Sequence, residues 1–176
     1  MEYRRHYQPA GWYFFTVVTY QRQPILTQPG NIACLRRAFR RVRKKRPFSI
    51  AAITILPDHL HTIWKLPEPD SDFSTRWRMI KHDYSAALSN NTTIRPLSRK
   101  REQGIWQRRF WEHTIRDESD LRRHVDYIYY NAVKHGYVTR PSAWPYCSFA
   151  HALNNGWYPE NWGQQEPETI RDLWYE

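Results

Sequence analysis

At 176 residues the chain is long enough for one domain with a real core, since independently folding domains centre on about 100–150 residues. Its 27 Lys and Arg against 17 Asp and Glu leave a formal charge of +10, which points to a polyanion as partner. An anionic membrane surface would need an amphipathic or lipidated anchor, and the sequence offers neither.

Nine Trp and twelve Tyr exceed what the core needs, so a few rings are candidates for stacking on bases while most build the interior. Cys34 and Cys147 make neither a metal site of their own nor a disulfide framework, as expected of a protein kept in the reducing cytoplasm. No signal peptide is read at the start, and the apolar run from Trp12 to Tyr20 is too short to span a membrane.

In chain order, Trp12 to Tyr20 is aromatic and β-branched between Pro9-Ala10-Gly11 and Pro24, the pattern of a strand. From Asn31 to Arg46, Ile32, Leu35, Phe39 and Val42 recur at helical spacing, and Pro47 ends the run. Ser49 to Leu56 and Leu60 to Leu66 read as two strands joined through Pro57-Asp58, a dipeptide suited to a turn. A second helix is expected over Ser74 to Ser89, with Trp77, Ile80 and Tyr84 on its apolar stripe. Asn90 to Gly104 has no periodicity and reads as a basic loop, after which Ile105 to Ile115 is strand-like. Asp117 to Lys134 carries Leu121, Val125, Ile128 and Ala132 at helical spacing, with acids at its start and His135-Gly136 at its end. The order β-α-β-β-α-β-α predicts an α+β domain of the ferredoxin-like or RRM-like kind, an antiparallel sheet with helices packed on it. A single domain is expected over residues 1–150, followed by a C-terminal tail over 151–176.

Two constellations carry chemistry. His59 and His61 stand two apart on a strand and so project to one face, where two imidazoles can share a divalent metal. On the last helix the core stripe leaves Tyr127 and Asn131 one turn apart on an adjoining face with Arg123 and His124. Asn131 could supply an oxygen ligand to that metal, and Tyr127 could attack a phosphate that the metal polarises. Each signal alone is also read blandly: His-X-His on a strand is often incidental, and a tyrosine on a helix often only packs. Tyr129 and Tyr130 fall on other faces and lack the relation to Asn131. His124 or Lys134 could assist proton transfer, but a solvated helix face explains both equally well.

The stretches LPDHLHTIWKLP (56–67), FSTRWRMIKHDYS (73–85), IWQRRFWEHTIR (105–116) and HVDYIYYNAVKHGYV (124–138) resemble the hallmark segments of the REP-associated tyrosine transposases, members of the single-tyrosine HUH class. The likeness runs from EYRRHY near the start to about Phe149, where SAWPYCSF (142–149) is similar to a Trp-Pro-Ser-Ser-Phe-like segment. The resemblance implies a single-strand DNA endonuclease and strand transferase, with Mg²⁺ or Mn²⁺ held by His59, His61 and Asn131 and with Tyr127 as the nucleophile that forms a 5′-phosphotyrosyl bond. It further implies a REP-type hairpin with a short single-stranded guide as substrate, and a monomer. Ala132 departs from the Asn-Pro-Val common in relatives, and the loop over 90–104 is longer than expected.

Arg4, Arg5, Arg78, Lys81, Arg108, Arg109 and Arg123 are the candidate DNA contacts, of the kind that fix register without reading sequence. The helix from Asn31 to Arg46 adds eight Lys or Arg and no acid, although Arg43 to Arg46 also suit the negative end of the helix dipole. From Pro159 to Glu176 five acids face one Arg, which fits either a solvated end or a segment that folds over the basic groove and competes with DNA. The main rival for the whole chain is a non-catalytic, RRM-like binder of single-stranded nucleic acid. A metal hydrolase using activated water is a second, weaker rival.

Overall fold

The computed structural model describes residues 11–89, 104–173 and 175. Arg4, Arg5 and nearly all of the expected basic loop lie outside the described residues. Four strands, β1 (Trp12–Val18), β2 (Ser49–Ile55), β3 (His59–Lys65) and β4 (Trp111–Thr114), form one sheet in the order β2-β3-β1-β4. Every neighbouring pair is antiparallel. Between and after them run α1 (Asn31–Lys45), α2 (Phe73–Ser89), α3 (Glu118–Lys134) and the short α4 (Phe149–Asn154). The expected β-α-β-β-α-β-α order is thus the one found. Among the described residues no helix is long and apolar enough to cross a membrane.

Strand alternation decides which side chains meet. Tyr13, Phe15 and Val17 of β1 and Leu60 and Trp64 of β3 join Leu35, Phe39 and Val42 of α1 and Trp77, Ile80 and Tyr84 of α2 in one apolar core. On the opposite face Phe14, Ala52 and Ile63 meet Tyr127, Ile128 and Tyr129 of α3. The sheet is therefore covered on both sides, by α1 and α2 on one and by α3 on the other. Asp117 caps α3 by accepting from the Asp120 amide at 2.8 Å, as its acidic start foretold. Gly136, at φ +73°, turns the chain away after the C-cap His135.

Two expectations are revised. The strand-like run over 105–115 pairs continuously only over Trp111–Thr114; before it, Trp106 makes one isolated bridge to Thr19, and Gln107 to Arg109 are exposed. Gln107 N still donates to Val18 O at 3.0 Å, but the continuous ladder with β1 forms only from Trp111 on. The C-terminal segment, in turn, is packed through its described residues. Phe149 and Ala152 of α4 enter the second core, and Ile170 is buried there too. Both carboxylate oxygens of buried Asp126 on α3 accept hydrogen bonds, from the Tyr158 hydroxyl at 2.6 Å and the Thr169 hydroxyl at 2.7 Å. The outer edge of β2 is closed by residues 146–148, with Ser148 N donating to Ile53 O and Ile55 N to Tyr146 O, each at 2.9 Å. A bare edge that would invite foreign strands is thereby occupied.

Candidate active site

In β3 the register sets His61 opposite Thr16 of β1 and Thr54 of β2, and puts both His59 and His61 on the α3 face. Each ring is held through Nδ1. His61 Nδ1 lies 2.9 Å from the Thr16 hydroxyl, and His59 Nδ1 lies 2.6 Å from Asp58 Oδ1. Burial works against ionisation of Asp58, but the hydrogen bond to His59 and the Arg22 guanidinium at 3.0 Å outweigh it and bring its pKa down to about 2. An ionised Asp58 can only accept, so it takes a hydrogen bond from His59 Nδ1–H, the outer-shell arrangement that orients metal-binding histidines. Arg22 reaches Asp58 from a turn in which Gln21 and Arg22 both take left-handed backbone angles, φ 52° and 51°. For side chains with a Cβ that conformation costs of order 1 kcal/mol or more each.

Tyr127 and Asn131 come from α3. They do not look outward, as the face adjoining the core stripe suggested; at 1% and 0% exposure they point into the sheet, because α3 lies across it. The Tyr127 ring stands 5.2 Å from the His61 ring, edge-on, and the His61 ring 5.0 Å from that of His59. Two imidazoles that bind one ion through nitrogen at about 2.1 Å place their ring centres roughly 4.5–5.2 Å apart for ordinary ligand angles, so the His59–His61 spacing suits a shared ion. His59 Nε2 is buried with no hydrogen bond, and the same holds for the Nε2 atom of His61 and the Oδ1 atom of Asn131, residues that keep contacts through other atoms. Nitrogen and amide oxygen donors with their outer shell in place fit a divalent cation. Lys134, two turns beyond Tyr127, brings its Nζ to 3.5 Å from the Tyr127 hydroxyl. Tyr129 instead packs on Phe149 and Tyr158, and Tyr130 is half-buried.

The candidate DNA contacts divide. Arg78, Arg108 and Arg109 are exposed. Lys81 donates to Gln107 O at 2.9 Å and lies over the Trp106 and Phe110 rings. Arg123 is engaged by the C-terminal segment, donating to Thr169 O at 3.0 Å and pairing with Asp172 at 2.5 Å. Of the groups around the site, Thr16 had no motif to mark it, and Lys134 stood out only as a possible aid to proton transfer or a solvated residue of the helix face. Asp58 did have a signal, standing directly before His59 in the PDHLH run.

Near Tyr127, His113 of β4 and Asp120 and His124 of α3 bring one potential ligand atom each within 4.8 Å of one another. The His113 and His124 rings are stacked at 4.6 Å and 13°, so an ion shared by both would lie well out of at least one ring plane, away from its lone pair. Their hydrogen bonds describe them better: Asp120 Oδ2 lies 2.8 Å from His113 Nε2, and His124 Nδ1 lies 2.7 Å from Asp120 O. Burial holds the pKa of His124 down to about 4. Onto this stack the C-terminal segment lays Tyr175, 4.9 Å from His124, 4.8 Å from Trp111 and 5.1 Å from the ring of Tyr127.

Known proteins share this architecture. The family model described as "Transposase IS200 like" matches residues 8–131. The chain is 45% identical to the REP-associated tyrosine transposase of Escherichia coli (strain K12) over 162 residues, 92% of this chain and 90% of that one. A relative in Haemophilus influenzae is 44% identical over 164 residues, 92% of each. A solved structure of a REP-associated tyrosine transposase bound to a REP hairpin matches with a TM-score of 0.81 at 41% identity, over 98% of both chains. With a matching sheet, a matching sequence along nearly its whole length and a tyrosine set beside a histidine pair, the chain belongs to the REP-associated tyrosine transposases, within the IS200-like transposase family.

Proposed function

We propose that this transposase binds REP-type hairpin DNA and cuts and rejoins its single-stranded flank through Tyr127, with Mg²⁺ or Mn²⁺ held by His59, His61 and Asn131. The observation that carries the reading is the approach of the Tyr127 ring to 5.2 Å from His61, with His59 another 5.0 Å on. A relative solved with a REP hairpin supports the substrate class. Arg78, Lys81, Arg108 and Arg109, with Arg4 and Arg5 ahead of the described residues, are proposed to track phosphates. Arg123 joins them only where DNA replaces Asp172 as its partner.

In the reaction the Tyr127 oxygen bonds to phosphorus and the P–O3′ bond breaks. The 3′ oxygen leaves as a hydroxyl, so that overall the phenol proton is exchanged for the 5′-phosphoryl chain. A divalent ion, when bound, supplies Lewis acidity that offsets charge on the phosphate oxygens. Thr16 and Asp58 keep the imidazole rings aimed, and burial around Tyr127 excludes competing water. The bond energy stays in the phosphotyrosine, so the 3′ hydroxyl can reverse the step without ATP. The protein is expected to act as a monomer, since Tyr127 faces histidines of its own chain.

The test is a covalent protein–DNA species formed with Mg²⁺ or Mn²⁺ and a hairpin oligonucleotide. Tyr127→Phe is expected to lower its formation at least about 1,000-fold, as loss of a nucleophile does. Hairpin binding without any such species would favour the RRM-like binding module. Cutting that survives in Tyr127→Phe would favour a hydrolase using water.

A further inference from the structure

Lys134 closes α3. A cation in the last turn of a helix is ordinarily explained by the carbonyls there. Its side chain goes elsewhere: the Nζ lies 3.5 Å from the Tyr127 hydroxyl and 4.7 Å from the centre of the Tyr127 ring. Seven residues separate the two on α3, about 10.5 Å along the axis, so the ammonium must run back along the helix to reach the nucleophile. Lysine side chains lean toward the helix N-terminus, which makes this reach available.

A phosphorus atom under attack must come within about 3.0–3.5 Å of the Tyr127 oxygen. Its non-bridging oxygens then fall inside the reach of an ammonium held 3.5 Å from that same oxygen. Lys134 is half-buried, so water screens it less than it would a surface lysine. Its position against the ring also limits the swing of the phenol.

Resting on the strand-transferase reading above, we infer that Lys134 binds a non-bridging oxygen of the scissile phosphate, holding it against Tyr127 and offsetting the charge that grows there as the Tyr127–phosphorus bond forms and the P–O3′ bond breaks. It contributes this charge from the helix side of the site, apart from His59, His61 and Asn131. Such a clamp is commonly worth about 100-fold or more in rate.

The experiment measures single-turnover formation of the covalent species at saturating metal. Lys134→Met keeps the length and packing of the side chain and removes its charge; Lys134→Arg restores a charge. Lys134→Met is expected to be slower by about 100-fold, and Lys134→Arg to recover part of the loss, with hairpin affinity unchanged in both. Repeating the measurement on a strand with a methylphosphonate at the cut position removes the charge that Lys134 answers. There the difference between wild type and Lys134→Met should shrink toward one. Equal rates for wild type and Lys134→Met on the natural phosphate, or a defect of the same size on the methylphosphonate, would overturn the assignment while leaving the reaction standing. No covalent species even with the wild-type protein would overturn the strand-transferase reading and this assignment with it.

Discussion

The two faces of the sheet are built from the same four strands and could hardly differ more. Against α1 and α2 the face is aromatic and aliphatic: Trp64 stacks on Trp77 at 4.3 Å, with Phe15, Phe39 and Phe48 around them. Against α3 the face buries His59, His61, Asp120, His124, Asp126 and Asn131. Polar groups out of water cost stability unless each finds a partner. Asp126 finds Tyr158 and Thr169, Asp120 finds His113 and Arg116, and His61 finds Thr16. The first face therefore supplies the cohesion that lets the second hold chemistry.

The comparison can be broken most forcefully from the apolar side. Trp77→Ala should cost about 3–5 kcal/mol, enough to unfold much of the protein, and urea unfolding would read it. A loss under about 1 kcal/mol would mean that the first face is not the anchor.

Acid probes the polar side. Burial keeps His124 neutral, with a folded pKa of about 4 against an ordinary 6.5, so the unfolded chain binds its proton first. The stability this represents is present in full above pH 6.5 and is lost as the pH falls toward 4, about 3 kcal/mol at 1.36 kcal/mol per pH unit. Asp58 and Asp120, both held down to about 2, add losses of the same sign at still lower pH. Unfolding free energies from pH 7 to pH 4 should show this slope, and His124→Phe should flatten it.

The site itself gives the next effect. Asn131→Ala is expected to weaken divalent-ion binding by about 10- to 100-fold, read by titration calorimetry, while leaving hairpin affinity near the wild-type value. A matching loss of hairpin affinity would make Asn131 a packing residue rather than a ligand. The smallest effect concerns Tyr175, whose ring rests on Tyr127, Trp111 and His124. Removing residues 174–176 gives up the Tyr175 ring contacts, worth about 1 kcal/mol, and uncovers Tyr127, so on the proposed reading adduct formation should rise by roughly fivefold. An unchanged rate would leave Tyr175 a packing residue only.

Much of this was legible in the chain. Periodicity of two set Tyr13, Phe15 and Val17 apart from Phe14 and Thr16, and periodicity near 3.6 marked α1, α2 and α3 nearly to their ends. The PDHLH run and the Tyr127-Asn131 spacing mark residues of which the fold brings Tyr127, His61 and His59 together. Less legible was the end of the chain, where acidic composition suggests solvation but the described residues pack on α3 through Asp126 and Arg123. Composition reports average affinity for water; it is silent on a few directed hydrogen bonds.

By itself, then, the sequence determined the elements, the face each residue shares with its neighbours and the inventory of candidate donors and a candidate nucleophile, because those follow from backbone geometry and short-range spacing. Tertiary structure alone decided that α3 crosses the sheet so as to bury Asn131 and set Tyr127 against His61, that Thr16 orients that histidine from 45 residues away, and that Lys134 turns back onto the phenol. Such contacts depend on how strands pair and helices pack, and no local period in the chain encodes them.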